Sequence, residues 1–140
     1  FAASMYAMSW RGRGPRIRQA LDLVNLWDAR KRVGRDLSGG MQKRVGLLRA
    51  SIMGPEVILY DEPTAGLDPY NTKVIQESIL QLKRQGVTSI LVTHDMPTAF
   101  AVCDRMALLL NGVIAAQGRT QDLTSDKNSA IHHFINGEKN

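Results

Sequence analysis

Two adjacent carboxylates, Asp61 and Glu62, directly follow the apolar run at residues 57–60. Such a run is typical of a strand buried on both faces of a parallel sheet, so we expect Asp61 at a strand tip and Glu62 just beyond it. Two acids beside a core are costly unless a cation or a proton neutralises them. Mg²⁺ held through water and shared with substrate phosphates would relieve Asp61, and Glu62 could then orient or deprotonate an attacking water. For this pair alone, an ordinary solvated strand end is the alternative.

A serine and two glycines, Ser38, Gly39 and Gly40, stand where a helical pattern begins. Unpaired backbone N–H groups and the positive end of the dipole make a helix start an anion site, and the glycines would allow an anion to approach closely. A serine N-cap followed by glycines is equally consistent with a cap that binds no ligand.

His94 and Asp68 complete the candidate set. His94 directly follows a second apolar strand, residues 89–93. We therefore expect it at the same sheet edge as Asp61 and Glu62, where it could sense a phosphate. A lone histidine is more often structural. Asp68 precedes a proline and is also consistent with a simple turn or cap residue.

The remaining pattern predicts the elements that must position these residues. In the helix after Ser38, apolar residues recur at helical spacing and predict its buried face: Met41, Val45, Leu48 and Ile52. The predicted elements are helices at 15–27, 38–53, 69–86, 95–103 and 127–134, strands at 57–60 and 89–93, and a hairpin of 105–110 with 113–117. This alternation predicts an α/β fold with a mostly parallel sheet and flanking helices.

Composition narrows the class of protein. The 140 residues carry a formal net charge of +5, with 44% hydrophobic and 22% charged residues, as in an ordinary soluble globular domain. No apolar run in the sequence approaches the roughly 20 residues of a membrane-spanning helix, and a single cysteine excludes an internal disulfide. The charge is uneven, because residues 1–49 hold 11 basic and 3 acidic side chains and residues 50–140 hold 7 and 10.

Four short motifs, taken in order and spacing, closely resemble the ATPase subunits of ABC transporters. They are Leu-Ser-Gly-Gly-Met at 37–41, Val-Ile-Leu-Tyr-Asp-Glu-Pro at 57–63, Ala-Gly-Leu-Asp-Pro at 65–69 and Thr-His-Asp at 93–95. They match the signature, Walker B strand, D-loop and H-loop of that family, and the resemblance covers about residues 15–125. It implies a P-loop NTPase-like ABC ATPase fold, incomplete and preceded by the end of the helical subdomain.

The resemblance implies catalytic roles for three residues. Asp61 would hold Mg²⁺ through water, and Glu62 would be the base that polarises the hydrolytic water. His94 would contact the γ-phosphate of ATP.

It also implies that part of the site serves a second subunit. Ser38, Gly39 and Gly40 would bind the γ-phosphate of an ATP held mainly by the opposite subunit, and Asp68 would lie across the dimer interface. Position 41 is Met where the family commonly has Gln, which removes one polar group at that interface.

The family's phosphate-binding loop, G-x-x-x-x-G-K-[ST], does not occur in these 140 residues. We interpret residues 1–50 as the remaining helical subdomain, 51–125 as the C-terminal part of the RecA-like core and 126–140 as a C-terminal helix and tail. Without the loop, most of the phosphate-binding energy is missing, so we expect the chain alone to hydrolyse ATP negligibly and the intact subunit to be an ATPase. A truncated or regulatory product without activity is the alternative.

The expected function is a nucleotide-binding subunit that couples ATP binding and hydrolysis to transport. It would act as a head-to-tail dimer on membrane permease subunits, peripheral to the cytoplasmic face of the inner (plasma) membrane. The signature and the tail at residues 132–138 resemble the Mla-type ATPases, which implies phospholipid as cargo and an Mce-domain lipid-binding protein as a partner. Alternatively, Phe134 and Ile135 only pack the last helix against the sheet.

The basic N-terminal third suits either anionic lipid headgroups or nucleic acid. Trp10 and Trp27 are isolated, without the aromatic interleaving that base stacking needs, so we expect contacts to a membrane subunit and no nucleic acid. The alternative function is a soluble ABC-type ATPase acting on nucleic acid or ribosomes. Relatives of that kind carry long coiled coils, and no sustained heptads precede Leu37.

Overall fold

The computed structural model describes residues 10–125 and 130–136, with side chains from residue 14 onward. Its helices are α1 (Trp10–Leu23), α2 (Gly39–Ser51), α3 (Pro69–Arg84), α4 (Met96–Val102), α5 (Thr120–Ser125) and α6 (Ala130–Ile135), with short 3-10 turns at Trp27–Ala29 and Gly34–Asp36. Its strands are β1 (Val57–Asp61), β2 (Thr88–Val92), β3 (Arg105–Leu110) and β4 (Val113–Arg119). The chain divides into two compact units, Phe1–Thr93 and His94–Asn140, and the divisions predicted at residues 50 and 125 stay predictions.

Helix α1 ends in a left-handed turn. Asn25 has a φ of 51°, its N–H bonds to the Asp22 carbonyl, and the Leu26 N–H bonds back to the Leu21 carbonyl. This is the Schellman arrangement, which closes a helix C-terminus. The helix runs from residue 10 to 23, not 15 to 27, so Pro15 lies inside it and not in its first turn as expected.

The sequence predicted the wrong buried residues for most of α2. Within this helix the buried side chains are Arg44 and Leu47, whereas Met41, Val45 and Leu48 are only partly buried. The physical reason is that Arg44 Nη1 donates to the free carbonyls at the end of α1, those of Val24 at 3.0 Å and Asn25 at 3.2 Å. A helix C-terminus attracts a cation, and here the cation turns α2 so that a charged residue faces inward.

Strands β1 and β2 pair in parallel, as predicted, with Asp61 opposite Val92. The expectation that both faces are buried is wrong. Ile58 and Tyr60 are buried on the face toward the core, but Leu59 is 72% and Ile90 is 54% exposed on the other. Helix α3 packs against β2 and supplies more buried apolar residues to this unit's core than any other described element: Val74, Ile75, Ile79 and Leu82. Burial also raises the pKa of the Tyr60 hydroxyl.

In the second unit, the predicted hairpin is confirmed, since β3 and β4 pair antiparallel around Asn111 and Gly112, which have φ values of 49° and 79°. Helix α5 was not expected; its Thr120 hydroxyl donates to the Cys103 carbonyl at 2.8 Å. In α6, the residue that packs is Ile131, which is 1% exposed. Predicted helix residues 127–129 and tail residues 137–138 lie outside the described residues. Across the described segments, the helices are too short or too polar to cross a membrane.

Candidate functional site

The end of β1 places Asp61 and Glu62 side by side. Asp61 is the last residue of the strand and is exposed. Glu62 stays tied to the neighbouring strand, because its N–H bonds to the Val92 carbonyl at 2.9 Å. Its φ of 44° is left-handed, a conformation that costs free energy for any residue but glycine. A strained glutamate at a strand tip is an observation that favours a functional role.

The Glu62 carboxylate has a definite partner in the same unit. Thr93 Oγ1 donates to Glu62 Oε2 at 3.2 Å, and both side chains are partly buried. Thr93 follows the last residue of β2, so the hydrogen bond aims the carboxylate along the sheet edge. Sequence reasoning missed this contact, although Thr93 belongs to the Thr-His-Asp motif and its position after a parallel strand was a usable signal.

The segment that follows Glu62 leads into α3. Gly66 has a φ of 69°, a left-handed conformation that favours glycine, and Asp68 is the N-cap of the helix. Asp68 Oδ1 accepts the Asn71 backbone N–H at 2.9 Å, and Asp68 Oδ2 accepts from the Asn71 side-chain amide. The hydrogen bond from the Asn71 backbone, followed by that from its side chain, holds the pKa of the exposed Asp68 carboxyl below its ordinary value of 3.8.

The start of α2 has the geometry of an anion site. Ser38 Oγ accepts the Met41 N–H at 3.3 Å, as an N-cap should. No described hydrogen bond within this unit takes up the N–H of Gly39 or Gly40, as expected for the first turn of a helix. Ser38 and Gly39 are exposed, and a Cβ on Gly39 would meet nothing within 4 Å. These residues fit an incoming phosphate.

The first turn of α2 also contacts the segment around Asp68. Lys43 Nζ donates to the Ala65 carbonyl, and Gly40 lies against the Asn71 side chain. The structure therefore brings the segment at residues 37–43 beside the segment at residues 65–71, which the sequence separates by more than twenty positions. Sequence reasoning did not single out Lys43 or Asn71.

The residues at the β1 end fit a magnesium ion shared with phosphates, not a closed protein cage. Among the residues that the structure describes, no group of three or more His, Cys, Asp or Glu side chains could hold a metal. Mg²⁺ is commonly bound through one or two carboxylates, waters and substrate phosphates, which is the mode that exposed Asp61 allows.

His94 is the first residue of the second unit and is exposed. Asp95, immediately after it, is the N-cap of α4 and accepts from the Thr98 N–H at 3.4 Å and the Thr98 hydroxyl at 2.6 Å. The prediction that His94 shares an edge with Asp61 and Glu62 stays a prediction.

Comparisons with known proteins agree with this arrangement. The ABC transporter family profile matches residues 7–65. The phosphate import ATP-binding protein PstB 2 of Natronomonas pharaonis is 40% identical over 134 residues, which are 93% of this chain and 47% of that protein. The methionine import ATP-binding protein MetN 1 of Oceanobacillus iheyensis is 37% identical over 120 residues, 85% of this chain and 36% of that protein. The chain thus spans less than half the length of these relatives.

A solved structure gives the same result for the fold. The ATP-binding subunit of an ABC transporter superposes with a TM-score of 0.77 and 26% identity, covering 97% of this chain and 58% of the other. The expected resemblance to Mla-type ATPases is not confirmed, since the relatives named above import phosphate and methionine. By sequence and by fold, the chain is homologous to the ATP-binding subunits of ABC transporters and carries part of their α/β ATPase fold.

Proposed function

We propose that this chain is the C-terminal part of an ATPase subunit that powers a membrane transporter. The observation that carries the proposal is Glu62, which is held in a left-handed conformation directly after Asp61 with its carboxylate fixed by Thr93. Strain of about 1–3 kcal/mol at one residue persists only where the surrounding structure imposes it, and such residues cluster at active sites. The homology to ATP-binding subunits of importers supports the same function.

In this proposal, each of the chain's site residues has a separate role in ATP hydrolysis. Asp61 would hold Mg²⁺ through water, and the ion would neutralise the charge of the phosphates. Glu62 accepts a proton from the attacking water, and the Thr93 hydroxyl keeps its carboxylate oriented. His94 donates to the γ-phosphate and so stabilises developing charge.

The start of α2 serves an ATP that the opposite subunit holds. The N–H groups of Gly39 and Gly40 and the Ser38 hydroxyl bind its γ-phosphate, and the helix dipole adds a favourable field. Asp68 lies in the segment that meets the second subunit. The remaining phosphate contacts come from the part of the relatives that this chain does not span.

Replacement of Glu62 tests the proposal in the intact subunit. Glu62→Gln keeps the shape of the side chain and its contact with Thr93 but cannot accept a proton, so we expect ATP turnover to fall by about 10²- to 10⁴-fold. Equilibrium binding of ATP should stay near the wild-type value. The matched control is Glu77→Gln on the exposed side of α3, which should hydrolyse normally. A normal rate in the Glu62 variant would contradict its role as the base.

The 140-residue chain alone makes a second test. We expect it to show no ATP turnover above a heat-treated blank, because the phosphate-binding loop is not in its sequence. Sustained hydrolysis by a monodisperse preparation would mean that these residues form a complete site.

The cargo remains open to direct measurement. The phospholipid proposal rests on the tail pattern, in which Phe134 and Ile135 are 41% and 39% exposed. The relatives' names support import of a small solute instead. Purification of the subunit with its permease, followed by uptake of labelled phosphate, methionine or fluorescent phospholipid, decides between them. Co-purification of an Mce-domain protein would favour the phospholipid.

The alternative, an ATPase acting on nucleic acid, has less support. Trp27 is partly buried, and the Arg18 and Arg30 guanidinium carbons lie 3.9 and 4.4 Å from its ring centroid. Cations stacked on the indole compete with a base for its faces. Salt-sensitive DNA binding by the intact subunit, with no associated permease, would reverse this ranking.

A further inference from the structure

The two glycines at the start of α2 differ in what lies beside them. A Cβ added to Gly39 would meet nothing within 4 Å, so a larger residue there is limited only by an incoming ligand. A Cβ added to Gly40 would lie 2.7 Å from Cγ, 2.8 Å from Nδ2 and 2.9 Å from Oδ1 of Asn71. Any side chain at position 40 would therefore displace the Asn71 amide, even without a nucleotide.

The Asn71 side chain is fixed from the other side by the N-cap of α3. Its backbone N–H bonds to Asp68 Oδ1 at 2.9 Å, and its Nδ2 bonds to Asp68 Oδ2. Its Oδ1 is buried and has no hydrogen-bond partner in the described part of the chain. Turning the amide away from Gly40 would break its bond to Asp68, so the amide acts as a spacer between α2 and the Asp68 carboxylate.

A second contact, one helical turn further along, joins α2 to the segment that precedes α3. Lys43 Nζ donates to the Ala65 carbonyl, at the start of the segment that ends in the Asp68 cap. Two contacts on one side of α2 constrain both the distance and the rotation of its first turn, whereas a single contact would leave the rotation free.

We infer that Asn71 is a positioning residue, which sets where the anion-binding start of α2 lies relative to Asp68. The inference rests on the proposed function, in which Ser38 and Gly39 bind the γ-phosphate and Asp68 meets the partner subunit. Through Asn71, a displacement of Asp68 on subunit closure moves the phosphate-binding N–H groups, so that the partner contact and the nucleotide contact form together. Asn71 itself touches no nucleotide.

A compensating pair of substitutions tests the spacer. Gly40→Ala should lower the melting temperature of the 140-residue chain by about 5 °C or more, because the added methyl group overlaps the Asn71 amide. Asn71→Ala in that background removes the overlap and should restore most of the loss. In the intact subunit, assayed well below either melting temperature, the second substitution should also recover most of the ATP turnover that the first one removes. Gly39→Ala is the matched control. The ATP turnover that this variant loses should not be recovered when Asn71→Ala is added.

The single variant Asn71→Ala keeps the test informative if Gly40→Ala does not fold. It should leave equilibrium ATP binding to the isolated subunit unchanged and lower kcat by about fivefold, as expected for a lost coupling and not for a lost ligand contact. Rescue of melting temperature without rescue of turnover would overturn the inference, because glycine would then be needed for the nucleotide. Rescue of neither would show that Asn71 is not the obstacle.

These outcomes are separable from a failure of the proposed function. The melting experiment needs no nucleotide and reports on the contact alone. An intact wild-type subunit without ATPase activity would contradict the function while leaving the contact between Gly40 and Asn71 in place.

Discussion

The starts of α2 and α3 have the same local geometry, but their capping side chains differ in charge. Each helix is capped by a side-chain oxygen that accepts the N–H three residues on, from Met41 to Ser38 at 3.3 Å and from Asn71 to Asp68 at 2.9 Å. The serine cap is neutral, whereas the aspartate cap is a carboxylate whose pKa those hydrogen bonds lower. A helix start carries about half a positive charge, so an anionic cap largely neutralises it and a neutral cap does not.

The difference decides which helix start can bind a phosphate. At α3, the first residue is Pro69, which has no N–H to offer, and the Asp68 carboxylate would repel a second anion. At α2, glycines occupy the first two positions and both N–H groups are available. Capping alone therefore does not identify an anion site; the charge of the cap and the identity of the first helical residues do.

The largest expected effect comes from making the two caps alike. Ser38→Asp preserves an N-cap oxygen, so the free energy of unfolding should change by less than about 1 kcal/mol. The new carboxylate would occupy the field that a phosphate needs, and we expect ATP turnover of the intact subunit to fall by about 100-fold or more. Steady-state ATPase assays and thermal melts of the same preparation measure both quantities.

Ser38→Thr is the control for this prediction, because it keeps a neutral hydroxyl cap and should retain most of the activity. If Ser38→Asp hydrolyses ATP at a rate close to wild type, then the start of α2 does not face a phosphate during turnover.

The reciprocal change at α3 should affect stability and not nucleotide chemistry directly. Asp68→Ala removes the acceptor of both Asn71 hydrogen bonds, and we expect the melting temperature of the chain to fall by about 5 °C. Glu77→Ala, on the exposed side of the same helix, should change it little. An equal fall in melting temperature in both variants would mean that α3 is destabilised by the loss of any carboxylate, and that the Asp68 cap does not stabilise it specifically.

The pH dependence of the melting temperatures of wild type and Asp68→Ala tests whether the Asp68 cap acts through its charge. Because folding lowers the pKa of Asp68, its contribution to stability is present above the unfolded value of 3.8 and is lost as the pH falls through the lower folded value. The difference in melting temperature between wild type and Asp68→Ala should therefore be full at neutral pH and shrink below about pH 4. A difference that stays constant from pH 7 to pH 3 would mean that Asp68 stabilises the helix without its charge.

Both caps were predictable from sequence, since Ser, Asp and Pro at a helix start act through bonds within three residues. The hairpin turn at Asn111 and Gly112 is local in the same way, and it too is confirmed. Pairing of β1 with β2 was predictable because two short apolar runs separated by a helix favour parallel strands.

What could not be predicted depends on residues far apart in the chain. The apolar spacing in α2 did not include Arg44 among the buried positions, yet Arg44 is only 7% exposed because α1 ends beside it. The continuous apolar run in β1 predicted burial on both faces, but nothing in the run says what covers Leu59. The contact of Gly40 with Asn71 spans 31 positions and leaves no periodic signal.

The smallest expected effect comes from replacing one exposed hydrogen of Gly39, at the start of α2, with a methyl group. Gly39→Ala places a methyl group where the structure has open space, and alanine restricts the unfolded chain more than glycine does. We therefore expect the free energy of unfolding to rise by about 0.5 kcal/mol, or about 2 °C in melting temperature. Turnover of the intact subunit should nevertheless fall, because the same open space is where a phosphate would approach. A gain in stability together with a loss of turnover would show that Gly39 lies on the ligand-facing side of α2. A gain in both stability and turnover would mean that the nucleotide binds elsewhere.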